Sequence, residues 1–191
     1  MNRSNNRRFQ RTERLLQDRV LELVEADPDT GLTVDAICGD LPINRSSFYI
    51  HHRNIQSILD AILTRLFDEH IEQLHMREGI LLQDAPVSSA LLLSARFIQE
   101  HKGFFRYCSA FSENTELGNQ YAQRYYALLS PSFQAGLGLT ELQLSVLGEF
   151  LKAGAAAVTE RWLKNSDDDS LDEITGFFMS VSEALEKQIR D

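Results

Sequence analysis

The stretch 33-TVDAICGDLPINRSSFYIHHRNIQSIL-59 decides how this 191-residue chain is read. Thr33 is placed to cap a short helix, because a threonine hydroxyl accepts a hydrogen bond from a free first-turn N–H. Val34, Ile37 and Leu41 would face inward. Pro42 stops that helix, since the residue before a proline avoids the helical region. Asn44 caps a second short helix and Asn54 a third that starts at Ile55. Two short helices joined by a tight turn have the size of a helix-turn-helix, whose second helix enters the DNA major groove. Within 43-INRSSFYIHH-52, Ile43 and Phe48 suffice to hold the helix on its body. Arg45, Ser46, Ser47 and Tyr49 lie on other faces. An arginine fork matches guanine, and hydroxyls suit phosphates.

Upstream, Leu16, Val20, Leu23 and Val24 recur at helical spacing until 27-DPDTG-31 breaks the pattern. Downstream, Ile55, Ile58, Leu59, Ile62, Leu66, Phe67, Ile71 and Leu74 form one long apolar stripe. Further helices are expected over 87–101, 104–111, 116–135, 140–164 and 170–189. The breaks between them fall at 84-DAP-86, Gly103, 112-SEN-114, 136-GLG-138 and the acidic 165-NSDDDS-170. No strand-like alternation competes. The expected fold is therefore all-α: an N-terminal three-helix helix-turn-helix DNA-binding unit over residues 1–53, then a C-terminal helical bundle over 54–191 for ligand binding and dimerisation.

The net charge of −9 argues against a polyanion partner until its distribution is examined. Residues 1–19 hold six arginines against two acids, residues 1–53 balance to zero, and residues 54–191 carry the whole deficit. A basic end on an acidic body marks one polyanion-facing edge. Arg7, Arg8 and Arg11 are the candidates, on a flexible arm that follows the DNA backbone or enters the minor groove. No apolar run approaches the roughly 18 residues of a membrane span, and the basic N-terminus lacks the apolar region of a secretory signal. Cys38 and Cys108 have no metal-ligand spacing and read as thiols in a reducing cytoplasm.

The quoted stretch resembles the tetracycline-repressor (TetR) family of bacterial transcription regulators. That family opens its second helix with Thr-x-x-x-Ile-Ala and ends its recognition helix with Leu-Tyr-x-His-Phe, followed by a small cap and a lysine. Thr33, Ile37, Tyr49, His51 and Asn54 match, and Phe48 stands for the leucine. Three positions depart from the pattern. Leu41-Pro42-Ile43 replaces Ala-Gly-Val in the turn, His52 replaces the last aromatic, and Ile55 takes the lysine slot, with Arg53 two residues earlier to restore the charge. The resemblance implies that Thr33, Asn44, Arg45, Ser46, Ser47, Tyr49, His51 and Arg53 form the DNA-binding surface. It places His51 on the DNA backbone, whereas His52 reads as a core histidine.

In the body, Leu147, Leu151, Gly154, Ala155, Val158 and Trp162 share one helical stripe, and Ile174, Phe177, Phe178, Val181 and Leu185 another. The resemblance implies that these last two helices pair with their copies in a homodimer, whose two recognition helices read a palindromic double-stranded operator. It also implies an effector pocket among the middle helices. The candidates are Phe97, His101, Phe104, Phe105, Tyr107, Cys108, Phe111, Tyr121, Tyr125 and Tyr126, a set that equally suits an aromatic core. The segments 101-HKGFFRYCSAF-111 and 150-FLKAGAAAVTERWLKN-165 look like the C-terminal domain of dihydroxyacetone-kinase-operon-type members, some of which answer to a partner protein. The sequence offers no phosphate loop, metal spacing or nucleophile elbow, so no enzyme, metal or cofactor is expected. The expected function is a cytoplasmic, dimeric repressor released by a small-molecule or protein effector. The alternative is a regulator of the same fold that answers to a protein and binds DNA weakly or not at all.

Overall fold

The computed structural model describes residues 3–81, 87–111, 138–165 and 170–190, with some side chains among them left out. The described secondary structure is entirely helical: α1 (Arg3–Ala26), α2 (Val34–Cys38), α3 (Arg45–His51), α4 (Ile55–Leu81), α5 (Val87–Glu100), α6 (Lys102–Phe111), α7 (Glu141–Lys164) and α8 (Leu171–Arg190). The fold is all-α, as expected. The expected helix over 116–135 and the breaks at 84–86, 112–114 and 136–137 lie outside the described residues. Contacts divide the chain into two units, Met1–Leu66 with His101–Thr115 and Phe67–Glu100 with Glu116–Asp191.

The first unit is built on local caps. Thr33 accepts from Ala36 N at 3.1 Å, Asn44 Oδ1 from Ser47 N at 2.9 Å, and Asn54 Oδ1 from Ser57 N at 2.9 Å. Each cap satisfies an N–H that has no partner inside its own helix. The core holds Leu16, Val20 and Val24 of α1, Ile37 of α2, Phe48 of α3, and Ile58, Leu59, Ile62 and Leu66 of α4, all buried. The first turns of α4 thus belong to this unit, which runs past the expected boundary at residue 53. α6 belongs to it as well.

α6 is fastened to α1 and to the chain that follows α1. The Glu25 carboxylate accepts from Gly103 N (3.0 Å) and Phe104 N (3.3 Å), so an acid sits at the positive end of the α6 dipole. Arg106 pairs with Asp29 at 2.8 Å, and Leu32 N donates to the Tyr107 hydroxyl at 3.0 Å. Gly103, expected as a helix break, lies inside α6. A Cβ there would sit 2.7 Å from Glu25 Cα and from Val24 O, so glycine is required by the close approach of the two helices. The break falls at His101, whose carbonyl accepts from Phe105 N.

In the second unit α5 packs against α8. His70 of α4 stacks on Phe97 of α5 at 4.3 Å and shares a hydrogen bond with Ser94 Oγ at 3.2 Å. Burial of the ring pushes its pKa down to about 4. α7 follows Gly138, whose φ of 62° favours glycine. It then starts from a reciprocal capping box between Thr140 and Gln143.

Candidate nucleic-acid interface

α3 is seven residues long and starts where Asn44 caps it. Before it, Leu41 N bonds Cys38 O (3.1 Å) and Ile43 N bonds Leu41 O (2.7 Å), folding the turn around Pro42 without needing its missing N–H. Side chains advance by about 100° per residue along a helix. Phe48, fully buried at 0 % exposure, fixes the inward face. Ser46 and Ile50 then lie roughly 160° away on the outward face, with Arg45 and Tyr49 on one flank and Ser47 on the other. Ser46 is exposed, Ser47 half-buried, Tyr49 52 % exposed and Ile50 72 % exposed.

Arg45 is already engaged. Its guanidinium lies 3.2 Å from Asp35 of α2. A hydrogen bond to Tyr49, then the Asp35 charge, hold its pKa above the ordinary arginine value. A guanine contact would have to displace Asp35. Thr33 is exposed and uses its hydroxyl as the α2 cap.

The end of α3 is clasped by α1. Glu13 Oε2 accepts from His51 Nδ1 at 2.8 Å. Glu13 Oε1 accepts from Gln17 at 2.7 Å and lies 3.0 Å from His52 Nε2, which lacks hydrogen-bond alignment with it. Phe9 stacks on the His51 ring at 3.9 Å. His52 is buried. Burial pushes its pKa down, against the opposing pull of the Glu13 charge. His51, expected on the DNA backbone, therefore has one ring nitrogen committed to Glu13.

The basic N-terminal segment is helical from Arg3 onward and not a flexible arm, since no glycine or proline interrupts residues 3–26. Arg7, Arg8 and Arg11 lie on the first turns of α1, and Arg53 just beyond α3. All four are exposed, and none forms an ion pair among the described residues. Other arginines of the unit are neutralised: Arg19 pairs with Asp40 and Glu22, and Arg65 lies 3.6 Å from Asp18. Ile55, in the lysine slot, is half-buried.

The remaining candidates divide between the two units. Phe104 and Tyr107 are buried in the first, where Tyr107 also stacks on Phe111 at 4.7 Å. His101, Phe105 and Cys108 are half-buried there and Phe111 is exposed. Burial, then the Asp60 charge, push the Cys108 thiol up to about 12, and burial with Asp35 raises Cys38, so neither thiol is a ready nucleophile. Phe97 is buried in the second unit. Tyr121, Tyr125 and Tyr126 lie outside the described residues. On α7, Trp162 is buried at 3 % exposure, and Leu147, Gly154 and Val158 are half-buried. On α7 Leu142, Val146 and Phe150 are exposed at helical spacing, and on α8 Phe177 and Val181 are exposed. Ile174 is half-buried. The side chains of Leu151, Ala155, Phe178 and Leu185 are outside the described set.

Sequence reading misses Ile50, Glu13 and Glu25. Placing α3 on a helical wheel would find Ile50. Nothing local marks the two glutamates, whose partners lie 38 and 78 residues away.

Among the described residues no helix is long and apolar enough to cross a membrane. No group of three or more His, Cys, Asp or Glu there is placed to hold a metal ion. No protein-family model matches the chain, and no curated protein matches it. Among solved structures, the chain is similar to the dihydroxyacetone kinase operon activator DhaS at 17% identity and a TM-score of 0.69, over 93% of this chain and 97% of that one. At that identity the likeness shows the fold, and this chain shares the all-helical fold of that activator.

Proposed function

We propose that the chain is a dimeric DNA-binding transcription regulator. The observation that carries the reading is the outward face of α3, held on a packed core and bordered by exposed arginines that form no ion pair among the described residues. Phosphate contacts position such a helix and base contacts give it sequence preference. In this reading Arg7, Arg8, Arg11 and Arg53 meet phosphates, and Ser46, Ser47, Tyr49 and Arg45 line the groove. The stripe of Leu142, Val146, Phe150, Phe177 and Val181 is the surface through which two copies pair. Self-complementary pairing would present two α3 helices to a palindrome with half-sites roughly one DNA turn, about 34 Å, apart.

The signal enters through α6. Its ties to Glu25, Asp29 and Leu32 end next to Thr33, the cap of α2. An effector acts only by favouring one arrangement of the pair over the other. The burial of Phe104 and Tyr107 in helix packing favours the second reading of the signal, a protein effector in place of a small molecule. Repression is what the tetracycline-repressor resemblance implies, whereas the solved protein of similar fold is named an activator.

The test is fluorescence anisotropy with a duplex taken from upstream of the chain's own gene, against a scrambled duplex of equal length, across a salt series. The expected result is preference for the native duplex, with affinity falling by a log–log slope of roughly −0.9 per phosphate contacted. Equal weak binding to both duplexes, with no salt slope, overturns the reading. A reporter gene behind the same DNA separates repression from activation.

A further inference from the structure

We infer that Ile50 sets base preference by packing against the C5-methyl group of thymine in the major groove, an inference that rests on the DNA-binding reading above. Among the described residues of its unit, Ile50 is the most exposed large apolar side chain, at 72 %. It stands opposite the buried Phe48, so it occupies the middle of the face that a groove-bound α3 turns toward the base pairs. Its companion on that face is Ser46, one turn earlier and too small to hold a base away from Ile50.

The other candidate for base reading is occupied, because Arg45 is drawn aside by Asp35 at 3.2 Å and by Tyr49. The outward face thus presents an apolar side chain where a polar one would be the ordinary surface residue. The only apolar feature on the major-groove edge of a base pair is the thymine methyl, and aliphatic contact with it is an established form of readout.

Charge complementarity selects DNA as the occupant. α3 carries no acidic residue. Arg53 lies two residues beyond its end, and the turns of α1 carrying Arg7, Arg8 and Arg11 are docked to its last residue through the Phe9–His51 stack at 3.9 Å. A polyanion laid on this face meets exposed arginines, with no ion pair among the described residues, around a central aliphatic group. A second copy paired through this same face would bring like-charged arginines together there.

The experiment starts from duplexes selected from a random pool by the full-length protein. The selected duplex is then remade with each thymine replaced in turn by uracil, which deletes only the methyl group. Binding is measured by anisotropy for the wild type, Ile50→Ala and Ile50→Val. The expected result is one position per half-site where uracil weakens wild-type binding about fourfold, the effect of roughly one buried methyl or methylene. Ile50→Ala should bind the thymine duplex more weakly and no longer distinguish it from the uracil duplex, and Ile50→Val should fall between. The substitution is exposed, so an unchanged thermal midpoint shows that the fold is intact.

A wild type indifferent to every thymine-to-uracil change, or an Ile50→Ala variant that keeps the full discrimination, overturns the inference and leaves the regulator reading standing. A random pool from which no motif emerges overturns both. Loss of self-association in Ile50→Ala with DNA binding intact assigns the face to a second copy and overturns the inference.

Discussion

Large apolar side chains are exposed on α3 and on α7 and α8, and the surroundings of the two places differ. On α3, Ile50 stands among hydroxyls, a tyrosine and arginines. On α7 and α8, Leu142, Val146, Phe150, Phe177 and Val181 form stripes at helical spacing, beside Glu141, Glu149, Asp172 and Glu173. A lone aliphatic group in a basic setting matches a charged partner that offers one apolar spot. A multi-turn apolar stripe in an acidic setting matches another apolar stripe, since burying that much surface repays only against a like face. Exposure alone separates neither case; the neighbouring charges do.

The sharpest way to break this comparison is Phe150→Glu, at a position 63 % exposed. The chain should stay folded, sediment as a single copy, and lose on the order of 10²-fold in operator affinity as the paired half-sites uncouple. Gly103→Ala should act on the first unit alone. Its new Cβ would meet Val24 O and Glu25 Cα at 2.7 Å, costing about 1–3 kcal/mol. A lower thermal midpoint with self-association retained is the expected outcome, and an unchanged midpoint would refute the close-approach account of Gly103.

Arg7→Gln with Arg8→Gln should leave midpoint and self-association alone. It should flatten the salt slope of DNA binding by up to roughly 1.8, about 0.9 for each phosphate that an arginine no longer neutralises. The smallest effect at neutral pH belongs to His70, whose folded pKa is lowered from 6.5 to about 4 by burial. The unfolded chain takes up its proton first as pH falls, so this contribution is complete above pH 6.5 and is lost progressively toward pH 4. His70→Phe should flatten the fall of the thermal midpoint across that window. His52, lowered in the same direction, should leave part of the slope in place.

The caps at Thr33, Asn44 and Asn54 are legible in the sequence because a cap acts on N–H groups two or three residues away. The buried faces of α1, α2 and the start of α4 are legible because helical periodicity exposes them. Charge misleads about the basic segment, which is helical because residues 3–26 contain nothing that stops a helix. On α7, apolar residues occupy more than one face. Periodicity groups Trp162 with Leu147 and Val158 on one stripe but cannot say whether that stripe turns inward; Trp162 is buried. Gly103 reads as a break because a missing Cβ signals a turn and a close helix approach alike. The Glu13 clasp on His51 and His52 joins segments that only the fold brings together.

That clasp has a consequence for how the chain can be controlled. A seven-residue helix has too few internal hydrogen bonds to persist unaided. α3 keeps its shape through Asn44 at one end and Glu13 with Phe9 at the other. It therefore turns with α1 as a key turns with its bow. Ser46 and Ile50 sweep through whatever angle α1 sweeps, and their spacing along α3 stays constant. Control exerted through α6 and α1 would then leave the alphabet read by each half unaltered and change only whether two halves fit the same stretch of DNA at once.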